Sequence, residues 1–266
     1  MLERHLCRGP VPLLLLAAAV AAVLPSSGYA NPITYADIDA DTVVFKDPTE
    51  SSGTDPVPLY GEPVAFGDTL DLGPLNFGAT ADDSVDITDG QFSTNIWAKD
   101  GYFIESIMVS EAVDYTMFGL AGSVAQVDVF APVFISILEV DGAPVPGGPV
   151  MANFEIPFTP APLNGSEYVF GSDPNSQSLL GNLVIDVAGI LASANIDGLA
   201  TKVAYDMDNT LSAAAGPSPT GGPSAVATVR KKQSFITVDT GIVPEPTAGV
   251  MALLSLIGFA GTRFRA

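Results

Sequence analysis

The sequence predicts a mainly β protein, a single antiparallel β-sandwich of jelly-roll-like kind with a signal peptide before it and a C-terminal hydrophobic helix after it. Three observations lead there. Charged residues make up only 15% of the chain while Gly (26) and Pro (22) abound, and the Ala, Glu, Lys, Leu mixture that fills helices is missing. Short runs of Val, Ile, Phe, Tyr and Thr recur between turn-forming Gly, Pro and Asp. The roughly 210 residues between two apolar ends suffice for one sizeable core. The expected organisation is a signal peptide over residues 1–30, an acidic β-sandwich domain over 31–242 and a tail over 243–266.

Residues 31–41 are polar, and 42–46, Thr-Val-Val-Phe-Lys, read as a first strand. Residues 46–58 read as a long polar connection, in which the run 47–56 holds Pro48, Gly53 and Pro56, three chain-breakers that predict irregular structure. Residues 59–66 and 68–72 read as two short strands around Gly67-Asp68, and 82–89 as an acidic loop opening on Gly90. Residues 91–99 alternate, with Phe92, Thr94, Ile96 and Ala98 on one face. Asp100-Gly101 then predicts a two-residue hairpin into 102–109. Strands at 113–120 and 124–130 follow, then an apolar run over 133–140 that suits a central strand and closes on Asp141-Gly142. Residues 151–156 alternate, 157–178 are loop-dominated, and 183–187 read as a strand turning into one short helix that ends near Ala194. Strands at 201–212 and 225–240 flank 213–224, a Pro/Gly/Ser/Ala tract that reads as a mobile loop. No period of 20 to 50 residues repeats, which argues against a solenoid.

Arg4 and Arg8, an apolar run over 11–24, and small residues at Gly28 and Ala30 make a secretory signal with cleavage expected between Ala30 and Asn31. The only histidine, His5, and the only cysteine, Cys7, lie inside it. Cys7 precedes the apolar run, so it cannot be the lipidated cysteine of a lipoprotein signal. The mature chain then has no disulfide, thiol nucleophile, imidazole base or Cys/His metal site, and the sequence implies no cofactor.

At the other end, Val243-Pro244-Glu245-Pro246-Thr247 precedes fifteen residues, 248–262, free of charge, and Arg263 and Arg265 form a basic stop. A helix begins only after the prolines, because each lacks a donor and clashes with the preceding turn. Fifteen residues of helix span roughly 22 Å, short of the ~30 Å hydrocarbon core, which suits a transient membrane insertion better than a permanent anchor. This tripartite tail resembles the PEP-CTERM sorting domain of exopolysaccharide-associated bacterial proteins. The resemblance implies that Pro244, Glu245 and Pro246 are the motif read by an exosortase-like membrane protease, which cuts near it. The basic end, Arg263-Phe264-Arg265, is sparser than the arginine cluster of that family. Stretches of the body at 45–51, 87–91, 110–116, 137–142 and 208–211 are similar to those of other uncharacterised PEP-CTERM secreted proteins. That likeness implies one domain and brings no activity with it. Together the two resemblances imply an exported, non-enzymatic protein of the cell envelope or exopolysaccharide matrix; the alternative is a carbohydrate- or calcium-binding module.

Residues 31–243 carry 28 acidic residues against six basic ones, a net charge near −22 by direct count. Such a surface repels nucleic acid, whose binding relies on Lys and Arg neutralising phosphates, and it keeps a secreted protein soluble. Asp37, Asp39 and Asp41 have the alternate spacing of a calcium loop, but Thr42 and Pro48 stand where such a loop needs Gly and Glu. Asp82, Asp83, Asp86 and Asp89 form a second cluster, and Asp206 with Asp208 a third; solvated acidic turns are the simpler reading, so no metal site is assigned. Two carboxylates can hydrolyse a glycoside, yet alternation puts Glu105, Glu111, Glu139 and Glu155 on the wet face of a sheet, and no catalytic residue is assigned. Of the aromatics Trp97, Tyr102, Phe103, Tyr115 and Phe118, most fit core packing. Trp97, out of phase with Phe92, Thr94 and Ile96, is the one that points outward to a possible exopolysaccharide partner.

Overall fold

The computed structural model describes residues 31–73 and 75–243. Pro244, Glu245 and Pro246, the basic stop at Arg263 and Arg265, and Ala30 of the signal cleavage site therefore lie outside the described residues. The principal strands are β1 (Val43–Ser51), β2 (Val64–Phe66), β3 (Thr69–Asp71), β4 (Gly78–Asp82), β5 (Val85–Ala98), β6 (Tyr102–Phe118), β7 (Ala125–Phe130), β8 (Pro132–Val140), β9 (Val150–Glu155), β10 (Ser176–Asp186), β11 (Ala200–Ala215) and β12 (Val226–Ile242), with one helix, α1 (Val187–Ser193), between β10 and β11.

They form two antiparallel sheets. The first runs from the short Ile33–Thr34 strand through β1, β5 and β11 to β7 and β8, with β9 on the far edge of β8. The second runs from Phe158–Thr159 through β10, β6 and β12 to β3 and β2, with β4 also along β12. Period-2 alternation turns one row of each strand inward. Val203, Tyr205, Met207, Leu211 and Ala213 of β11 are buried, as are Ile107, Val109, Val113, Tyr115 and Met117 of β6, and both rows belong to one core cluster. Each large apolar side chain so buried stabilises the fold by about 1.5–3 kcal/mol.

The alternation over 91–99 appears as expected inside β5, where Phe92, Thr94 and Ile96 are buried. The run over 133–140 lies inside its sheet, between β11 and β9. Strand β10 does turn into a helix, and Asp186 caps it by accepting from the Gly189 N–H at 2.8 Å.

Elsewhere the structure corrects the reading. Residues 47–51 are strand. The ladder to β5 shifts register between Lys46 and Thr49, with Asp47 at φ 50°, and the bulge absorbs Pro48, whose missing donor is not needed there. Residues 59–63 are not strand; Leu59 and Tyr60 are instead buried from a loop. The acidic loop over 82–89 shrinks to a turn at 83–84, because β5 begins at Val85. The strands expected at 102–109 and 113–120 are one 17-residue strand, β6. Glu111, in the middle, stays in phase with the core because a buried lysine faces it. The first part of the loop expected at 213–224 belongs to β11, which runs to Ala215.

The two Asp-Gly turns behave differently. Asp141-Gly142 closes a two-residue hairpin, Val140 facing Ala143, with φ of 52° and 76° at its central pair, the positive values that a type I′ turn requires. Asp100-Gly101 makes no hairpin. It carries the chain from β5 in the first sheet to β6 in the second, so the same dipeptide serves as a corner.

Candidate functional site

The end of the molecule that holds both Asp-Gly turns also holds Trp97. It lies on the outer face of β5, between Val44 of β1 and Lys202 of β11, and 37% of its surface is open. The Lys202 ammonium sits 4.1 Å from the centre of its ring and that of Lys46 5.3 Å away, within the range of cation–π attraction. Lys202 is held by Glu139 at 2.8 Å, Lys46 by Asp37 at 2.5 Å, and Lys99 by Asp39 at 2.8 Å. Half of the six cations of residues 31–243 are thus gathered at this end, each paired. Beside them opens a hollow of about 460 Å³ whose walls include Trp97, Lys99, Tyr102, Glu139, Asp141 and Lys202. Val243 also lines it, and its N–H donates to the Gly101 carbonyl at 2.9 Å.

The ionisable groups of the interior form a separate chain that ties the two sheets together. Glu111 of β6 accepts from the Lys231 ammonium at 2.6 Å, from the Ser234 hydroxyl at 3.0 Å and from the Asn209 amide at 3.2 Å. That amide also donates to the Tyr60 hydroxyl at 2.8 Å, which in turn donates to the Gly90 carbonyl at 2.8 Å. Lys231 and Glu111 are fully buried. Burial pulls the Lys231 ammonium below its ordinary range against the opposing pull of Glu111, and pushes the Tyr60 hydroxyl well above its own. A bulge in β12 between Lys231 and Gln233 places both Lys231 and Ser234 on the inner side. Gly90 is glycine because the cluster comes so close: a Cβ there would stand 2.5 Å from Phe77 and 2.9 Å from Leu59. This arrangement is closed to solvent and serves packing.

The acidic clusters do not converge on a cation site. Asp37 and Asp39 are spent on lysines, Asp86 accepts from the Thr80 N–H at 2.7 Å, and Asp82 and Asp83 face solvent. Among the described residues no three His, Cys, Asp or Glu gather where they could hold a metal. Two of the clusters do meet in part. β5 and β11 pair Thr210 with Asp89 and Asp208 with Gln91, and Asp208 hydrogen-bonds to Asp89. Burial, the charge of Asp89 and that hydrogen bond raise Asp208 to about 6. A carboxyl that holds its proton more tightly when folded adds stability below its unfolded value near 3.8, and that contribution is lost as pH rises through about 6. Asp208→Asn should therefore raise the melting temperature at pH 7.5 by about 2–4 °C, for about 1 kcal/mol left after solvent screening. At pH 4 it should make no difference, and thermal melts at the two values check this.

The remaining singled-out residues scatter. Glu105 and Glu155 are exposed, as expected, but on different sheets, and Glu111 is buried rather than wet. No pair of them flanks a cleft. Tyr115 is core, stacked on Tyr168 at 4.8 Å, and Phe103 lies against Gly241. Phe118, expected in the core, is 64% exposed at the end of β6, because the inward row of that strand ends at Met117. Sequence reasoning missed Glu50 and Lys231. Lys231 continues the inward row of Ala227 and Val229, a phase readable in the sequence, and the change of phase to Ile236 and Val238 was the signal for the bulge that turns Ser234 inward beside it.

No family model matches the chain and no curated protein matches it. Solved structures of infectious bursal disease virus capsids are similar only distantly. The T13 viral particle matches at 12% identity over 88% of this chain and 48% of that one, with a TM-score of 0.17. The Gx strain matches at 12% over 90% and 52%, with 0.15, and the D431N VP2 T=1 particle at 15% over 96% and 53%, with 0.15. The chain spans about half the length of these proteins, and likenesses of this size bear on neither fold nor function.

Proposed function

We propose that the chain is an exported protein of the cell envelope or exopolysaccharide matrix, delivered by a signal peptide and an exosortase-read tail, with a structural or interaction role and no catalysis. Its two sheets are taken as a jelly-roll-like β-sandwich. One observation carries the reading: β12 ends at Ile242, and Val243 is still bound to Gly101, so Pro244 follows the folded body with no spacer between body and motif. Among the described residues no helix is long and apolar enough to cross a membrane; transient insertion is assigned to the 248–262 segment on its uncharged, apolar sequence. The acidic balance argues against a nucleic-acid partner, and the interior Glu–Lys pair, enclosed on all sides, argues for packing rather than chemistry.

Intact-mass analysis of the secreted form tests it. The expected species starts at Asn31 and lacks everything beyond the Pro244-Glu245-Pro246 region, and Glu245→Ala should leave the tail attached and the protein in the membrane fraction. Recovery of the natural form with Ala266 still in place overturns the proposal.

A further inference from the structure

The geometry points to the Trp97 hollow as a binding site for a neutral polysaccharide, with a short run of hexose units laid against the indole. The inference rests on the matrix reading above and gives it a ligand. A hexose presents an apolar C–H face and a rim of hydroxyls, so its site needs an open aromatic ring and polar groups already fixed in place. Trp97 is a partly open ring of the hollow's wall, and since the Lys202 ammonium sits 4.1 Å from its centre, a hexose meets the exposed remainder of the indole with that ammonium beside it. Each of the paired charges at the hollow keeps capacity to spare. Lys202 spends one of its three donors on Glu139, Glu139 uses one carboxylate oxygen on Lys202, and Lys99 is held by Asp39 and the Ala40 carbonyl. Side chains held in ion pairs lose little rotamer freedom when a ligand arrives. The hollow's position at a corner built by the Asp100-Gly101 turn and the Asp141-Gly142 hairpin sets these groups on strand ends rather than on long loops.

Charge selects the class of glycan. Lys46, Lys99 and Lys202 are each neutralised by a carboxylate at 2.5–2.8 Å, Asp141 adds a further negative charge to the wall, and residues 31–243 carry a net charge near −22. A polyuronate meets repulsion there and a neutral chain does not. A second polar hollow, on the outer face of the second sheet, is walled by Asp114, Thr116, Ser178, Arg230 and Lys232 and offers no open indole.

Trp97 is the chain's single tryptophan, so its emission reports this hollow alone. The secreted protein would be titrated with cellohexaose, laminarihexaose and mannohexaose, and with a galacturonate oligomer. A saturable change with at least one neutral hexaose is expected, with the galacturonate silent. By calorimetry, Trp97→Ala should weaken that binding at least tenfold, Trp97→Phe less, and Lys202→Met in between, while Arg230→Gln should leave it unchanged. Silence toward all three neutral oligomers, a response to galacturonate alone, or binding that falls with Arg230→Gln and not with Trp97→Ala overturns the site. Correct processing at both ends together with such silence would sink the site and leave the matrix reading standing; binding by a protein whose tail is never cut would do the reverse.

Discussion

Lys231→Met should cost about 3–5 kcal/mol of folding free energy, the range expected when one partner of a buried ion pair is removed and the other is left without compensation. For a body of this size that is a melting temperature lower by roughly 10 °C or more. The reason is geometric. Glu111 and Lys231 are fully buried, the Lys231 ammonium sits beside the edge-to-face pair of Phe77 and Tyr60, 5.2 and 5.5 Å from the two ring centres, and the second Glu111 oxygen has no protein partner among the described residues. With the ammonium gone, the carboxylate keeps only the Ser234 hydroxyl and the Asn209 amide. Glu111→Leu alone strands the ammonium in the same way and should cost a similar amount. Joining the two changes removes both charges, and the double variant should recover most of the loss, because an apolar replacement of a buried pair is often neutral or stabilising. Chemical denaturation of the four proteins in a double-mutant cycle checks this. Losses that simply add would mean that the two groups do not act as a pair.

That pair also marks where the sequence was legible and where it was not. Composition and alternation made the β class and most strand positions readable, because a two-sided sheet writes its inner row into every second residue, as at Phe92, Thr94 and Ile96. Glu111 was misplaced: a carboxylate was expected on the wet face, yet the residue shares the inward row of Val109 and Val113, and only a lysine 120 residues away, in the inward row of another strand, makes that position tenable. The Asp100-Gly101 turn was legible as a turn; which sheet the next strand joins depends on partners that no local signal names. At the candidate site, the outward phase of Trp97 was readable. Its neighbours Lys202 and Glu139 were not, because they arrive through the β11 and β8 registers.

Glu50→Ala should be nearly as costly, about 4 kcal/mol, although Glu50 has no cation beside it. The residue lies fully buried at the end of β1. One carboxylate oxygen accepts the Leu59 and Tyr60 backbone N–H groups, the latter at 2.9 Å, and the other accepts the Tyr35 hydroxyl at 2.9 Å. Burial and that bond to Glu50 push the Tyr35 hydroxyl above its ordinary range. Residues 52–63 carry no strand of their own, so their buried donors depend on a side chain, and each donor left unsatisfied costs about 1–3 kcal/mol. Glu50→Gln keeps an acceptor for both amides and should cost only about 1 kcal/mol, which separates the need for an acceptor from the need for a charge. Amide hydrogen exchange gives the local readout: Leu59 and Tyr60 should lose protection in Glu50→Ala well before the β6 and β12 amides do. Tyr60 carries the effect inward, since its hydroxyl bonds Asn209 and through it Glu111. Glu50→Ala combined with Lys231→Met should therefore depart from additivity by at least about 0.5 kcal/mol; strict additivity would show that the loop and the interior pair are held independently.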